Sequence, residues 1–420
     1  MKKVLIIIHL PRASPRIEGL VKYLPEFNWQ PIILTGVTGN STNLPARIIE
    51  TPYRNALGVL GKLFRIDPAA DTSQQMENRF GTTSKKSPLD FFFKLGGEFI
   101  NYPCPDKNWG PFALKAGKEL LKNESIDAVI STSPPVISHI IARQLKDAYN
   151  IPWLADLRDL WSLNHNYRYS PLRKLLDRRL ELHTLGKADA LVTVSDPLAE
   201  ELRTLHKEKT VYPVSHGFDP SDVNIPPAKL TKKFTITYTG NIYQGRQDPL
   251  KLFTALRDLI SDGTINPSDI EVRFYGAVPG WLVREAEQHG LSHIIKHHGS
   301  IPHDAAIEKQ RESQLLLLLD WDDPKERGVY TGKIFEYLGA RRPILATGGI
   351  VGNVIDVLLD DTGAGIHACT TEDTGNALRK LYREYKLKGE ITYCGEESKL
   401  DQYSQREMAG KFAEAFNRLM

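Results

Sequence analysis

Cysteine is scarce in this chain, and long apolar runs are missing. Cys104, Cys369 and Cys394 are the only cysteines among 420 residues. They form no C-x-x-C pair, which argues against a disulfide framework or a zinc site and fits a reducing compartment. No stretch approaches the roughly 18 apolar residues of a membrane span. The opening MKKVLIIIHL is apolar for a few residues only. Pro11 stops it and Arg12 and Arg16 follow, so a first buried strand is expected rather than a signal peptide. No strand-like run leads into G-x-G-x-x-G, which argues against a dinucleotide dehydrogenase. The basic patches lack the interleaved aromatics of a nucleic-acid module, so no nucleic-acid partner is expected. The one D-x-D by spelling, Asp320-Trp321-Asp322-Asp323, follows an apolar run and reads as a loop with solvated acids. No metal site is expected.

The composition is that of an ordinary globular protein, 41% hydrophobic and 25% charged. Net charge is only +3, but it is unevenly spread: about +6 over residues 1–220 and about −3 over 221–420. A basic first half suits an acidic partner such as anionic lipid or a phosphorylated acceptor.

Short apolar runs alternate with helical stretches throughout. Strands are expected at Val4–Leu10, Pro31–Thr35, Ala128–Thr132, Trp153–Leu157, Ala190–Val194 and Val211–Ser215. A second set falls at Thr235–Thr239, Glu271–Tyr275, Ile294–His298, Leu315–Leu319, Pro343–Thr347 and Gly365–Ala368. Continuous rather than alternating apolarity marks parallel strands covered on both faces. The βα pattern occurs in two blocks, which argues an α/β protein with two doubly wound domains. The first domain is placed at residues 1–222, with an insertion at about 40–110 that holds few strand signals. The Pro- and Lys-rich stretch 223–233 is the linker, 234–395 the second domain, and 396–420 a terminal helix. That helix carries Met408, Phe412, Ala415, Phe416 and Leu419 on one stripe, fit to cross back and pack on the first domain.

Two segments of the first half are open to a membrane reading. Phe91-Phe92-Phe93 lies beside Lys85, Lys86 and Lys94, and reads as a packed insertion or an interfacial contact. The helix from Pro171 sets Arg173, Lys174, Arg178 and Arg179 around Leu172, Leu175, Leu176 and Leu180. It lies either on anionic lipid or against water with a solvated basic face.

The most informative segment is YTGKIFEYLGARRPILAT, Tyr330 to Thr347, read as loop, helix and buried strand. A helix N-terminus presents unpaired N–H groups and partial positive charge, which suits a phosphate. Thr331 and Gly332 open that helix, Lys333 adds a full charge, and Glu336 follows on the same face, placed to accept hydrogen bonds from ribose hydroxyls. Together they suggest a site for a nucleotide diphosphate.

An ordered set of segments then resembles one family. ISTSPPVISHIIARQL, IPWLADLRDLW, ADALVTVSDPLAEEL and PVSHGFDP look like the first domain of a family 4 glycosyltransferase. TYTGNIYQGRQDP, VRFYGAVP, HHGSIPHDAAIEKQRESQLLLLL and TGKIFEYLGARRPILAT look like its second. The resemblance implies the GT-B fold, two Rossmann-like domains facing a cleft. It implies a hexosyl-type transferase that takes a sugar from a nucleotide-diphosphate sugar with retention, without a cofactor or bound metal, in polysaccharide or glycolipid synthesis. It places the protein in the cytoplasm or at the inner face of the membrane.

Residue by residue, the resemblance assigns the donor diphosphate to Gly240, Arg246, Thr331, Gly332 and Lys333, with Arg246 and Lys333 carrying catalysis. Glu336 matches the second Glu of the family's E-x7-E pattern. Gly328 stands where the first is expected, and Glu326 is out of register. The Gly-Gly pair after the first strand is replaced by His9-Leu10-Pro11-Arg12-Ala13-Ser14-Pro15-Arg16, where Arg12 or Arg16 meets phosphate or a charged acceptor. Ser133, Asp156, Arg158 and Asp159 follow strand ends, where ligands collect in doubly wound sheets. Asp156 or Asp159 faces the acceptor hydroxyl, or an internal Asp–Arg pair fixes the loop. His139 is a packed helix residue or a substrate contact. The acceptor is a glycan or a lipid-linked intermediate. The missing Glu and Gly-Gly also suit a catalytically silent binding subunit, and the diphosphate grip suits a nucleotide-sugar 2-epimerase.

Overall fold

The apolar runs of the first half form one parallel sheet. Its strands are β1 (Lys2–Ile7), β2 (Trp29–Gly36), β3 (Arg47–Thr51), β4 (Ala128–Ser133), β5 (Trp153–Leu157), β6 (Ala190–Thr193) and β7 (Thr210–Pro213), in the order β3-β2-β1-β4-β5-β6-β7. The second half forms another from β8 (Phe234–Thr239), β9 (Ile270–Tyr275), β10 (Ile295–Gly299), β11 (Leu315–Leu319), β12 (Ile344–Thr347) and β13 (Gly365–Ala368). Their order is β10-β9-β8-β11-β12-β13. In this computed structural model, residues 1–9, 15–37, 44–53, 98, 101–164, 166–167, 169–223, 226 and 228–420 are described.

Both sheets are doubly wound. Each grows outward from its first strand and then restarts on the other side, so the order reverses between β1 and β4 and between β8 and β11. Ligands collect outside the carboxyl ends of strands at such reversals. Leu315 to Leu319 are all buried, because helices cover both faces of the sheet.

The helices between strands are α1 (Pro15–Tyr23), α2 (Gly110–Asn123), α3 (Ile137–Tyr149), α4 (Pro171–Leu185) and α5 (Asp196–Leu205). In the second half they are α6 (Leu250–Ser261), α7 (Gly280–Gln288), α8 (His303–Arg311), α9 (Lys333–Ala340), α10 (Val354–Thr362) and α11 (Thr371–Lys388). The last is α12 (Gln405–Arg418). Side-chain caps fix several starts. Ser170 caps α4, Asn353 caps α10, and Thr370 with Asp373 forms a capping box on α11.

The contacts divide the chain into two units, Met1–Val214 with Ala409–Met420, and Ser215–Met408. The division at Val214 falls earlier than the break at 222. Phe218 explains this: its N–H donates to Tyr403 O (3.0 Å), its carbonyl accepts from Gln405 N (2.8 Å), and its ring lies in the second core. Residues 409–420 close the first unit. The Phe416 ring stands 4.9 Å from Trp29, and Phe412 lies 4.8 Å from the Arg16 guanidinium.

Two expectations need correction. The region at 40–110 contributes β3, which pairs with β2 from Arg47 to Thr51. Its RIIET sequence is half polar because an edge strand is only partly covered. The rest of the supposed insertion, including Lys85, Lys86 and Phe91 to Lys94, lies mostly outside the described residues, as does Arg12.

Helix α4 is turned inside out relative to its leucine pattern. It buries Arg173, Asp177, Glu181 and Thr184, and exposes Leu172 (54%), Leu175 (64%) and Leu182 (41%). The charged ones, Arg173, Asp177 and Glu181, are paired, which makes their burial tolerable. Arg173 Nε donates to Asp177 Oδ2 at 2.8 Å and its Nη2 to Pro103 O at 2.7 Å; Glu181 accepts from Ser162 N at 2.9 Å. Among the described residues, no helix is long and apolar enough to cross a membrane.

Candidate functional site

At the reversal in the second sheet, Gly240 ends β8 with φ +123°, a conformation that side-chain-bearing residues rarely adopt. A Cβ there would fall on Lys333 Cε and stand 3.1 Å from its Nζ. Gly240 therefore leaves the space that the Lys333 side chain fills. Gly276, at the end of β9 with φ +143°, allows the same close approach to the Gly240 carbonyl.

Lys333 is the first residue of α9, behind Gly332. Its ammonium lies 5.4 Å from the centre of the Tyr238 ring. It makes no hydrogen bond or ion pair among the described residues. Burial pushes its pKa down, partly offset by the charge of Glu336. A half-buried ammonium at a helix N-terminus, without an ion pair among the described residues, is chemically suited to an anion. Thr331 is buried, and its carbonyl accepts from Ile334 N at 3.1 Å. Gly332 has ordinary helical φ (−56°), so backbone conformation does not require glycine there.

Glu336 is half-buried on the first turn of α9. Its Oε2 accepts from Gln310 Nε2 at 3.2 Å, and that nitrogen also donates to Thr239 Oγ1 at 2.9 Å. Arg246 sits exposed on the turn after β8. The turn is pinned: Arg246 N donates to Tyr243 O (3.1 Å), its carbonyl accepts from Asp322 N (3.2 Å), and Tyr243 stacks on Trp321 at 6.2 Å.

The Asp320–Asp323 acids are not simply solvated. Asp320 is buried, and its Oδ2 accepts from Asn353 Nδ2 (2.7 Å) and meets His367 Nε2 (3.2 Å). Asp322 accepts from Gly349 N at 2.9 Å and pairs with Lys251. Asp356 Oδ1 lies 3.4 Å from His367 Nδ1. Burial lowers the His367 pKa, but the hydrogen bond and charge of Asp320, with Asp356, outweigh it and hold it above 6.5. Among the described residues no group of three or more His, Cys, Asp or Glu is arranged to hold a metal ion.

In the first unit, Arg16 on α1 is buried, not facing an acceptor. It grips Asp156 in a fork, Nη2 to Oδ1 at 2.9 Å and Nε to Oδ2 at 3.2 Å, and its Nη1 donates to Val214 O at 2.8 Å. Thr132 Oγ1 donates to the same Asp156 at 2.8 Å. The internal Asp–Arg pair exists, with Arg16 rather than Arg158 as the partner. Arg158 donates to the carbonyls of Ser133 (3.1 Å) and Pro134 (2.8 Å), and Asp159 is exposed.

The hydroxyls of Ser133 and Ser138 are buried without a hydrogen-bond partner among the described residues. His139 Nδ1 lies 2.7 Å from Ser131 Oγ, which accepts from Trp153 Nε1 at 2.8 Å. The indole only donates, and the serine hydroxyl and Nδ1 share the second bond, while Nε2 is buried without a hydrogen-bond partner among the described residues. Burial pushes His139 down to about 3, so it is neutral.

A family model described as Glycosyltransferase Family 4 matches residues 85–222. The sucrose-phosphate synthase of Thermosynechococcus elongatus superposes with TM-score 0.62 at 12% identity, covering 100% of this chain and 99% of that one. Residues 85–222 are thus similar to a family 4 glycosyltransferase domain. HepE of Anabaena, in complex with UDP and glucose, superposes on this chain with TM-score 0.60 at 11% identity, covering 100% of each. TarM of S. aureus, in complex with fondaparinux, alpha-GlcNAc-glycerol and UDP, gives 0.57 at 10% identity, covering 99% and 100%. No curated protein sequence matches the chain. At these identities the likeness establishes the GT-B fold, two Rossmann-like units.

Of the residues singled out in the sequence, the structure brings Gly240 into contact with Lys333 and sets Glu336 one turn further along α9. Two relevant residues carried no sequence signal. Tyr238 supplies the ring beside Lys333, and its alternation in β8 reads as core. Gln310 closes α8, where a polar residue reads as surface.

Proposed function

We propose that this protein is a glycosyltransferase that moves a sugar from a nucleotide-diphosphate sugar to a glycan or lipid-linked acceptor, with retention and without a bound metal. The observation that carries the reading is the Lys333 ammonium, half-buried at the start of α9 with no counter-ion among the described residues. A diphosphate supplies the missing charge. Arg246, on its pinned turn, grips the same group with a planar fork. Glu336 takes the ribose hydroxyls.

In the reaction the acceptor oxygen attacks the anomeric carbon on the face from which the diphosphate departs. The departing phosphate oxygen takes the acceptor proton as the bond to it lengthens. Lys333 and Arg246 offset the charge that builds on the diphosphate, so the protein contributes positioning and charge more than a side-chain base. The Anabaena and S. aureus proteins hold UDP, so a uridine donor is the first to try.

The acceptor side belongs to the first unit. Arg158, Asp159 and Ser133, at the carboxyl ends of β4 and β5, are its candidates. An anionic membrane surface is the proposed partner of α4, whose outward face combines exposed leucines with Lys174, Arg178 and Arg179.

The deciding experiment is binding and slow hydrolysis across UDP-, GDP-, ADP- and dTDP-sugars, with and without EDTA. Hydrolysis of one donor that survives EDTA and disappears in Lys333→Ala supports the reading. Binding of none overturns it in favour of a silent subunit. Nucleotide release without a glycosylated product favours a 2-epimerase.

A further inference from the structure

We propose that Gln310 is a positioning residue that sets the ribose selectivity of the donor site through Glu336. The inference rests on the reading of Glu336 as the ribose carboxylate.

Gln310 closes α8 and has no exposed surface. Its Nε2 donates to Thr239 Oγ1 at 2.9 Å and to Glu336 Oε2 at 3.2 Å. An ionised carboxylate only accepts, so the amide nitrogen must face Glu336, and both of its N–H groups are in use. The amide oxygen, Oε1, is buried with no hydrogen-bond partner among the described residues. An orphaned interior carbonyl is a standing penalty, and a leucine of similar size would fill the same space without it. The amide is accounted for by what its nitrogen does.

What the nitrogen does is hold one oxygen of Glu336 and leave the other. Glu336 has no second partner among the described residues, so Oε1 remains available to accept. A carboxylate anchored by one oxygen has lost its rotamer freedom before a ligand arrives, which is preorganisation. The anchor is itself fixed. Thr239 N–H donates to Tyr337 Oη at 3.1 Å, so the end of β8, the end of α8 and the first turn of α9 meet in one chain of bonds. Tyr337 is the residue after Glu336, and its burial keeps that part of the helix in place.

The test is equilibrium binding of UDP, GDP and ADP and their 2′-deoxy counterparts to the full chain, as wild type, Gln310→Leu, Gln310→Asn, Glu336→Ala and the Gln310→Leu/Glu336→Ala double variant. Wild type should prefer the ribonucleotide about tenfold, the order expected for a hydrogen bond to a charged group. Gln310→Leu should lower that ratio several-fold while 2′-deoxy affinity stays unchanged. The double variant should be no worse than Glu336→Ala alone. Gln310→Asn keeps an amide too short to reach Glu336 and should lower the ratio in the same way, which decides the matter if Gln310→Leu folds poorly.

A merely structural role would weaken both nucleotide series equally and leave the ratio intact, which overturns the inference. A wild-type ratio near one overturns the ribose role of Glu336 and this inference with it. Wild type that binds no nucleotide overturns the donor reading itself.

Discussion

The Lys333 side chain occupies the space that a Cβ on Gly240 would need, so a residue at the end of β8 and one at the start of α9 are set by each other. Gly240→Ala should displace the ammonium as well as strain a backbone with φ +123°. We expect nucleoside-diphosphate affinity to fall about tenfold or more, toward that of Lys333→Ala. Affinity for the bare nucleoside should be unchanged. Titration calorimetry on both ligands checks this, and wild-type diphosphate affinity in Gly240→Ala would remove Lys333 from the grip.

Arg16 and Asp156 form a fully buried, forked pair that also ties α1 to the carbonyl of Val214. Removing one partner leaves an uncompensated interior charge. Arg16→Ala should therefore cost about 3–5 kcal/mol. Arg16→Met combined with Asp156→Leu should cost much less, because no charge is left behind. Urea unfolding followed by tryptophan fluorescence separates the two; equal costs would mean the pair is not the source.

This pair also shows where sequence reading stops. The strand ends were legible because continuous apolar runs such as Leu315–Leu319 have few alternatives, and the glycine and lysine of the proposed donor site stood at strand and helix ends where ligands collect. Arg16 looked like a loop cation, since nothing local reveals that a residue 140 positions away meets it. Helix α4 misled for a related reason. Leucine spacing assumes that apolar faces turn inward, whereas here Arg173, Asp177 and Glu181 find buried partners and the leucines face out. Edge strand β3 lacked the apolar run because it is covered on only part of its surface.

His367 bridges Asp320 and Asp356 with a pKa held above its usual value. A raised folded-state pKa adds stability that is fully present below about 6.5, the free histidine value, and is lost as pH rises through the folded value. The melting-temperature gap between wild type and His367→Gln should be widest near pH 5.5 and shrink toward pH 8.5. A gap that grows with pH would mean that the imidazole is neutral in the folded chain.

The outward face of α4 should bind vesicles containing phosphatidylglycerol and ignore neutral ones. Each basic residue near an anionic surface contributes roughly 1 kcal/mol, so Arg178→Glu with Arg179→Glu should weaken binding at least tenfold. Leu175→Ser should weaken it as well, and nucleotide affinity should not change. Co-sedimentation at low and moderate salt measures this. Absence of binding to anionic vesicles would remove the membrane as the partner of this helix.

The first unit is discontinuous along the chain, since Ala409–Met420 belongs to it and Phe416 and Phe412 lie against Trp29 and Arg16. During synthesis these residues leave the ribosome only after the whole of the second unit. A nascent chain paused anywhere in the second unit therefore carries a first unit with Trp29 uncovered. Chains usually complete their domains in order from the amino end, but here maturation of the earlier one waits until the second has been made.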